Sequence, residues 1–138
     1  MQIIKKYLPL YLLIIPVFFA IDLVWLGVVA ADLYENQIGF LLADKINWAA
    51  AVIFYLLYIA GIVYFAIAPG IAKKSLSYCM ISAALFGFLA YATYDLTNLA
   101  TVEGWPIKIT IIDLIWGTTL TSLTALSGWF IAKKLKVS

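Results

Sequence analysis

Residues Tyr7–Ala31 read YLPLYLLIIPVFFAIDLVWLGVVAA, an apolar run interrupted by one carboxylate, Asp22. A helix needs about 20 residues, at roughly 1.5 Å each, to cross about 30 Å of hydrocarbon. The run meets that length, and it exceeds a signal-peptide core of about 7–15 residues. It therefore reads as a membrane span preceded by Lys5 and Lys6.

Three further runs of this kind follow, at about 48–68, 76–100 and 106–132. The second is expected to stop at Pro69-Gly70, a helix-ending pair. Pro106 suits the first helical position of the fourth. Between the first and second runs, Leu33, Ile38, Leu41 and Leu42 alternate with Asp32, Glu35, Gln37 and Asp44. That pattern suggests a short helix lying on the interface. Strands are not expected, because backbone in lipid must satisfy its own hydrogen bonds.

Composition agrees. Of 138 residues, 66% are hydrophobic and 12% charged, and the mean hydropathy is +1.06. Soluble domains lie nearer 45–50% apolar. The expected fold is all-α: one polytopic, multi-pass transmembrane four-helix bundle filling residues 1–138. The chain has no arginine, which argues against nucleic-acid binding. It has no histidine, which removes His-based metal, haem and nucleophile chemistry. Cys79 is the only cysteine, so no intramolecular disulfide forms; it reads as a small apolar residue at a helix start. No cofactor is implied.

Lysines orient the spans. Lys5, Lys6, Lys73, Lys74, Lys133, Lys134 and Lys136 fall on one side; Lys45, Lys108, Asp32, Glu35, Asp44 and Glu103 fall on the other. The positive-inside rule then places both termini in the cytoplasm.

Three aspartates sit inside the spans: Asp22, Asp95 and Asp113. A charge at the bilayer centre costs about 2.5–3.5 kcal/mol on insertion scales, so each needs a partner, a proton or a use. Counting along the helices puts Asp22 ~13 Å, Asp95 ~8 Å and Asp113 ~10 Å below the outer end. Similar depths on three helices point to one shared site in the outer half of the membrane. Ala84, Gly87, Tyr91, Asp95 and Asn98 form one stripe on the third span. Thr110, Asp113, Gly117, Thr121, Thr124 and Gly128 form another on the fourth. Small residues at such spacing allow close helix approach. Asp22-Leu23-Val24-Trp25 and Asp113-Leu114-Ile115-Trp116 repeat one phrase, and i, i+3 spacing puts each indole on the face of its carboxylate. Carboxyls gathered in low dielectric cannot all ionise, so at least one is expected to be protonated at neutral pH. Trp48, Trp105 and Trp129, near helix ends, read as interfacial belt residues.

The run Tyr91-Ala92-Thr93-Tyr94-Asp95-Leu96-Thr97-Asn98-Leu99-Ala100 is followed by Trp105-Pro106 and Asp113-Leu114-Ile115-Trp116-Gly117. Together with Asp22 and Trp25-Leu26-Gly27, these residues resemble domain-of-unknown-function family 2177 over nearly the whole chain. The resemblance implies a four-helix protein of the bacterial inner membrane and no particular activity.

The leading functional reading is a binding site for a lipid-like or aromatic small molecule, with acid-catalysed modification of that molecule as an extension of it that leaves open whether the chain is an enzyme. Asp95, Asp113 and Asp22 are the candidate catalytic residues; Trp25, Tyr55, Tyr91, Tyr94, Asn98 and Trp116 are the candidate binding residues. The alternatives are a proton-coupled small-molecule transporter working as a homodimer, and a structural or partner-binding membrane subunit. A hard-cation site on three Asp with Asn98 fits less well, because such sites draw on more oxygen ligands, so no metal is assigned.

Overall fold

The spanning helices follow the long apolar runs, and two of them start at a side-chain cap. In the computed structural model, which describes residues 1–137, they are α1 (Gln2–Val24), α2 (Ala31–Ile38), α3 (Trp48–Ile62), α4 (Ala68–Ala72), α5 (Leu76–Thr101) and α6 (Ile107–Lys134). The Asn47 side chain accepts from the Ala50 amide at 3.1 Å to cap α3, and Ser75 Oγ accepts from Tyr78 at 3.1 Å to cap α5. Two wide π turns lie in the first half: Trp25–Val29 prolongs α1, and Val63–Ile67 joins α3 to α4. Four helices result that are long and apolar enough to cross a membrane: Gln2–Val29, Trp48–Ala72, Leu76–Thr101 and Ile107–Lys134. No strand occurs among the described residues.

The second helix does not stop at Pro69-Gly70; it runs on to Ala72. The π turn before it lets the chain enter α4 with Pro69 in the first turn, where a missing N–H breaks no hydrogen bond. Gly70 serves packing instead of termination. A Cβ there would overlap Cys79, so its absence lets α4 lie against α5.

Consecutive spans alternate in direction, so the start of α1, the end of α4, the start of α5 and the end of α6 gather at one end. A core of Leu10, Ile14 and Phe18 from α1, Ile59 and Ile62 from α3, and Leu120 from α6 fills the centre. The tightest seam is between α5 and α6. A Cβ on Gly87 would overlap the Gly117 carbonyl oxygen and the Thr121 side chain. Large apolar side chains such as Leu57, Ile81 and Ile115 face outward, as a bilayer-embedded bundle requires. Hydroxyls on that outer face are satisfied within their own helix: Thr119 Oγ1 donates to the Ile115 carbonyl at 2.8 Å.

Two tryptophans read as belt residues are core residues. Trp105 is only 8% exposed because α2 folds back over it, with Ile38 and Ile109 alongside. Trp129, 5% exposed, packs into the central cluster. Trp48 remains exposed.

Candidate functional site

The two striped faces predicted from spacing are buried where they meet. All six residues of the α6 stripe, Thr110, Asp113, Gly117, Thr121, Thr124 and Gly128, are buried, as are Gly87 and Asp95 on α5. This brings Asp95 against Asp113. Their carboxyls stand within hydrogen-bonding reach of one another. Asp95 is fully buried, and neither of its oxygens meets a protein donor. Its neighbour, Asp113, is a second carboxyl and, when ionised, an acceptor only.

Asp113 has one further partner, which sequence reasoning left out. The Tyr34 hydroxyl, carried by α2, donates to Asp113 Oδ1. Burial, then the bonded Asp113 carboxyl, raise the Tyr34 phenol above its ordinary range, so Tyr34 remains a donor. The same hydroxyl accepts from Trp25 Nε1 at 3.2 Å. The π turn at Trp25–Val29 adds a residue to the helical turn and turns the chain into α2, placing Trp25 and Tyr34 side by side. A signal for Tyr34 existed in the sequence. Tyr34 and Ile38 are spaced i, i+4, so they share the face that docks on the bundle.

Asp22 is held separately. Tyr55 donates to its Oδ2 at 2.6 Å, and Trp116 Nε1 donates to its Oδ1 at 3.2 Å. The two repeated phrases therefore exchange partners. Trp116, from the second phrase, binds the carboxylate of the first. Trp25, from the first, reaches the carboxylate of the second through Tyr34. The indoles that cross in this exchange stack on each other, with ring centroids 4.4 Å apart and planes 8° from parallel. Two carboxyl loci result, Asp95 with Asp113 and Asp22 alone, joined by an aromatic bridge. Beneath them Tyr91 lies on Gly117, where a Cβ would overlap its ring, and Tyr58 hydrogen-bonds Thr121 at 2.6 Å.

The remaining two residues read as binding residues are placed less centrally. Tyr94 is 58% exposed and meets Trp105 edge-on at 5.6 Å. It adjoins Asp95 in sequence and so points about 100° away around the helix. Asn98 is half-buried a turn beyond Asp95, near Tyr94. Among the described residues no group of three or more His, Cys, Asp or Glu is arranged to hold a metal ion.

Beside the stacked indoles is a groove of about 410 Å³ lined by Ala20, Ile21, Val24, Trp25, Val29 and Trp116. It opens sideways, on the surface that faces lipid in a bilayer-embedded bundle. The site thus combines an apolar recess with a buried carboxyl pair, connected by indole and phenol donors.

No curated protein and no solved structure matches the chain. Residues 7–130 match the family described as predicted membrane protein DUF2177. With that match over nearly its whole length and four helices fit to span a bilayer, the chain belongs to the DUF2177 family of membrane proteins.

Proposed function

We propose that the chain binds a lipid-like small molecule drawn from the bilayer, with the Asp95–Asp113 pair holding the proton the site exchanges with it. The observation that carries this reading is Asp95, fully buried with no protein donor to either oxygen and Asp113 as its neighbour. A carboxyl in that setting is costly as structure alone, since a half-satisfied buried polar network is worse than an apolar core. It has the composition of a general acid: a proton between two carboxyls, out of water, with a phenol donor beside it. The groove at Trp25 and Trp116 supplies the apolar wall for an amphiphile, and Asp22 anchors that wall through the Trp116 indole. With the lysine-rich ends cytoplasmic, as the positive-inside rule gives, the site sits in the outer half of a bacterial inner membrane.

The test is native mass spectrometry of the detergent-purified protein, wild type beside Asp95→Asn, Asp113→Asn and Trp116→Ala, with released molecules identified. A specific molecule held by wild type and lost from the variants supports the site and names its chemical class. An empty wild type beside equally empty, stable variants refutes the reading and leaves the cluster a structural role. Carbonyl infrared spectra of the Asp→Asn series supply the proton readout. A protonated-carboxyl band that disappears in Asp95→Asn or Asp113→Asn is expected.

A further inference from the structure

The opposite end of the bundle carries a second recess, independent of the carboxyl site. A groove of about 790 Å³ runs between the start of α1 and the α3–α4 helix, bounded by Lys6, Tyr7 and Tyr11 on one wall, Tyr64 on the other and Tyr78 at its mouth. That volume falls within the roughly 300–1,000 Å³ typical of small-molecule sites. Along the helix it extends from Ala72 at the lysine end to Ala60, a rise of about 18 Å at 1.5 Å per residue. The groove is therefore long, narrow and directed from the membrane surface toward the midplane. Apart from Lys6 and its tyrosine hydroxyls, its lining is apolar.

Charge at the mouth has one sign. Lys6 lines the groove with its ammonium 5.3 Å from the Tyr7 ring centroid. Lys73 lies 3.8 Å above the ring of Tyr78, itself a lining residue. Cation–π contacts of this kind hold two flexible ammonium groups at the rim. No acidic residue competes for them. All seven Asp and Glu lie at or beyond Asp22 in the deeper or opposite parts of the spans and loops, while seven of nine lysines lie at this end.

We infer that this groove is a binding site for one anionic phospholipid of the adjoining leaflet, its phosphate between Lys6 and Lys73 and one acyl chain along α3–α4. The complementarity is threefold: an apolar channel for the chain, two cations at headgroup level, and no Asp or Glu at this end among the described residues to repel the phosphate. Basic pockets between membrane helices bind anionic headgroups by the same physics. A zwitterionic lipid offers the same chain, but its own ammonium meets the lysines unfavourably.

The experiment uses the full chain in dodecylmaltoside with equimolar phosphatidylglycerol and phosphatidylcholine of identical acyl chains, read by native mass spectrometry. Phosphatidylglycerol is expected to dominate the bound lipid. Each lysine near an anionic lipid is worth about fivefold in affinity, so Lys6→Gln with Lys73→Gln should lower phosphatidylglycerol binding about 25-fold. Lys6→Arg with Lys73→Arg should retain it. Ala60→Phe fills the deep end without altering charge and should weaken binding of both lipids. The control is Lys133→Gln with Lys134→Gln, which removes the same charge away from the groove and should change binding by less than about twofold. Equal binding of the two lipids overturns the inference. So does an equal loss in the control pair, which would mean general attraction to a basic surface. Thermal melts of each variant separate a lost site from a lost fold.

Discussion

Tyr34→Phe is the sharpest single test of the geometry. It keeps the ring and removes only the hydroxyl, which donates to Asp113 and accepts from Trp25 Nε1. Two hydrogen bonds disappear, and an indole N–H and a carboxyl oxygen lose a partner. Side-chain hydrogen bonds in membrane proteins average about 0.6 kcal/mol, and those to charged groups in soluble proteins reach about 1.5–3 kcal/mol. One of each, taken at the lower end, gives a loss of about 2 kcal/mol. The loss should be local, because α2 stays tethered by Ile38 against Trp105 and Ile109 and no spanning helix loses a core contact. About 2 kcal/mol corresponds to roughly 30-fold more of the undocked state. Amide hydrogen exchange in detergent reads this directly: residues 31–41 should lose about 30-fold protection while α5 and α6 remain unchanged. Protection of that segment within twofold of wild type would refute the reasoning, since α2 would then be held by Ile38 and its neighbours alone.

Three other expectations follow from the same contacts. Asp95→Asn places an amide N–H₂ opposite Asp113, so melting should shift by less than about 1 kcal/mol in stability even as the proton-holding function is lost; a larger destabilisation would show that the two carboxyls do not face each other. Gly117→Ala drives a Cβ into the Tyr91 ring and should cost about 1–3 kcal/mol, whereas Gly27→Ala, with nothing within 4 Å, should be neutral or gain up to about 1 kcal/mol; comparable melts for the two would contradict the α5–α6 seam. Raising pH should undock α2. The folded-state value of Tyr34 lies above the ordinary 10.0, so its contribution is complete below pH 10 and declines as pH rises beyond it. Hydrogen exchange of residues 31–41 should show this alkaline loss in wild type and not in Tyr34→Phe.

Much of the architecture is legible in the residues because lipid imposes long, uninterrupted patterns. Four apolar runs give four spans, and the small-residue and polar stripes of the third and fourth give the face on which Asp95 and Asp113 meet. What escapes is decided by local irregularity and by neighbours distant in sequence. The π turn that carries the helix through Pro69-Gly70 leaves no periodic mark in Val63–Ile67. Trp105 and Trp129 sit where belt tryptophans sit, and only packing from α2 and the central helices makes them core. Tyr34 lies in the one polar stretch between spans, where a search for intramembrane partners does not look. The exchange between the two repeated phrases is the clearest case. Spacing alone puts Trp25 with Asp22 and Trp116 with Asp113, but crossing the helices lets the indoles stack and sends each N–H to the other phrase.

That exchange also separates the three aspartates by their hydrogen-bond partners. Asp22 has a donor on each oxygen, Tyr55 on one and Trp116 on the other, and both donors belong to spans packed in the core cluster. A ligand competing for Asp22 would have to displace two hydrogen bonds fixed by the bundle itself. Among the described residues Asp95 has no protein donor to lose, and the one side-chain hydrogen-bond donor to Asp113 is carried by α2, the short helix outside the spans. The helix that carries this donor is joined to α1 by the π turn bearing Trp25, which also walls the groove. On the proposed function, a molecule seated in that groove touches the Trp25 indole, which is hydrogen-bonded to Tyr34. On this reasoning Tyr34→Phe, which frees α2 in advance, should exchange its bound molecule faster than wild type. Asp22→Asn keeps an acceptor for the Trp116 indole, so it should change that exchange rate less than Tyr34→Phe does.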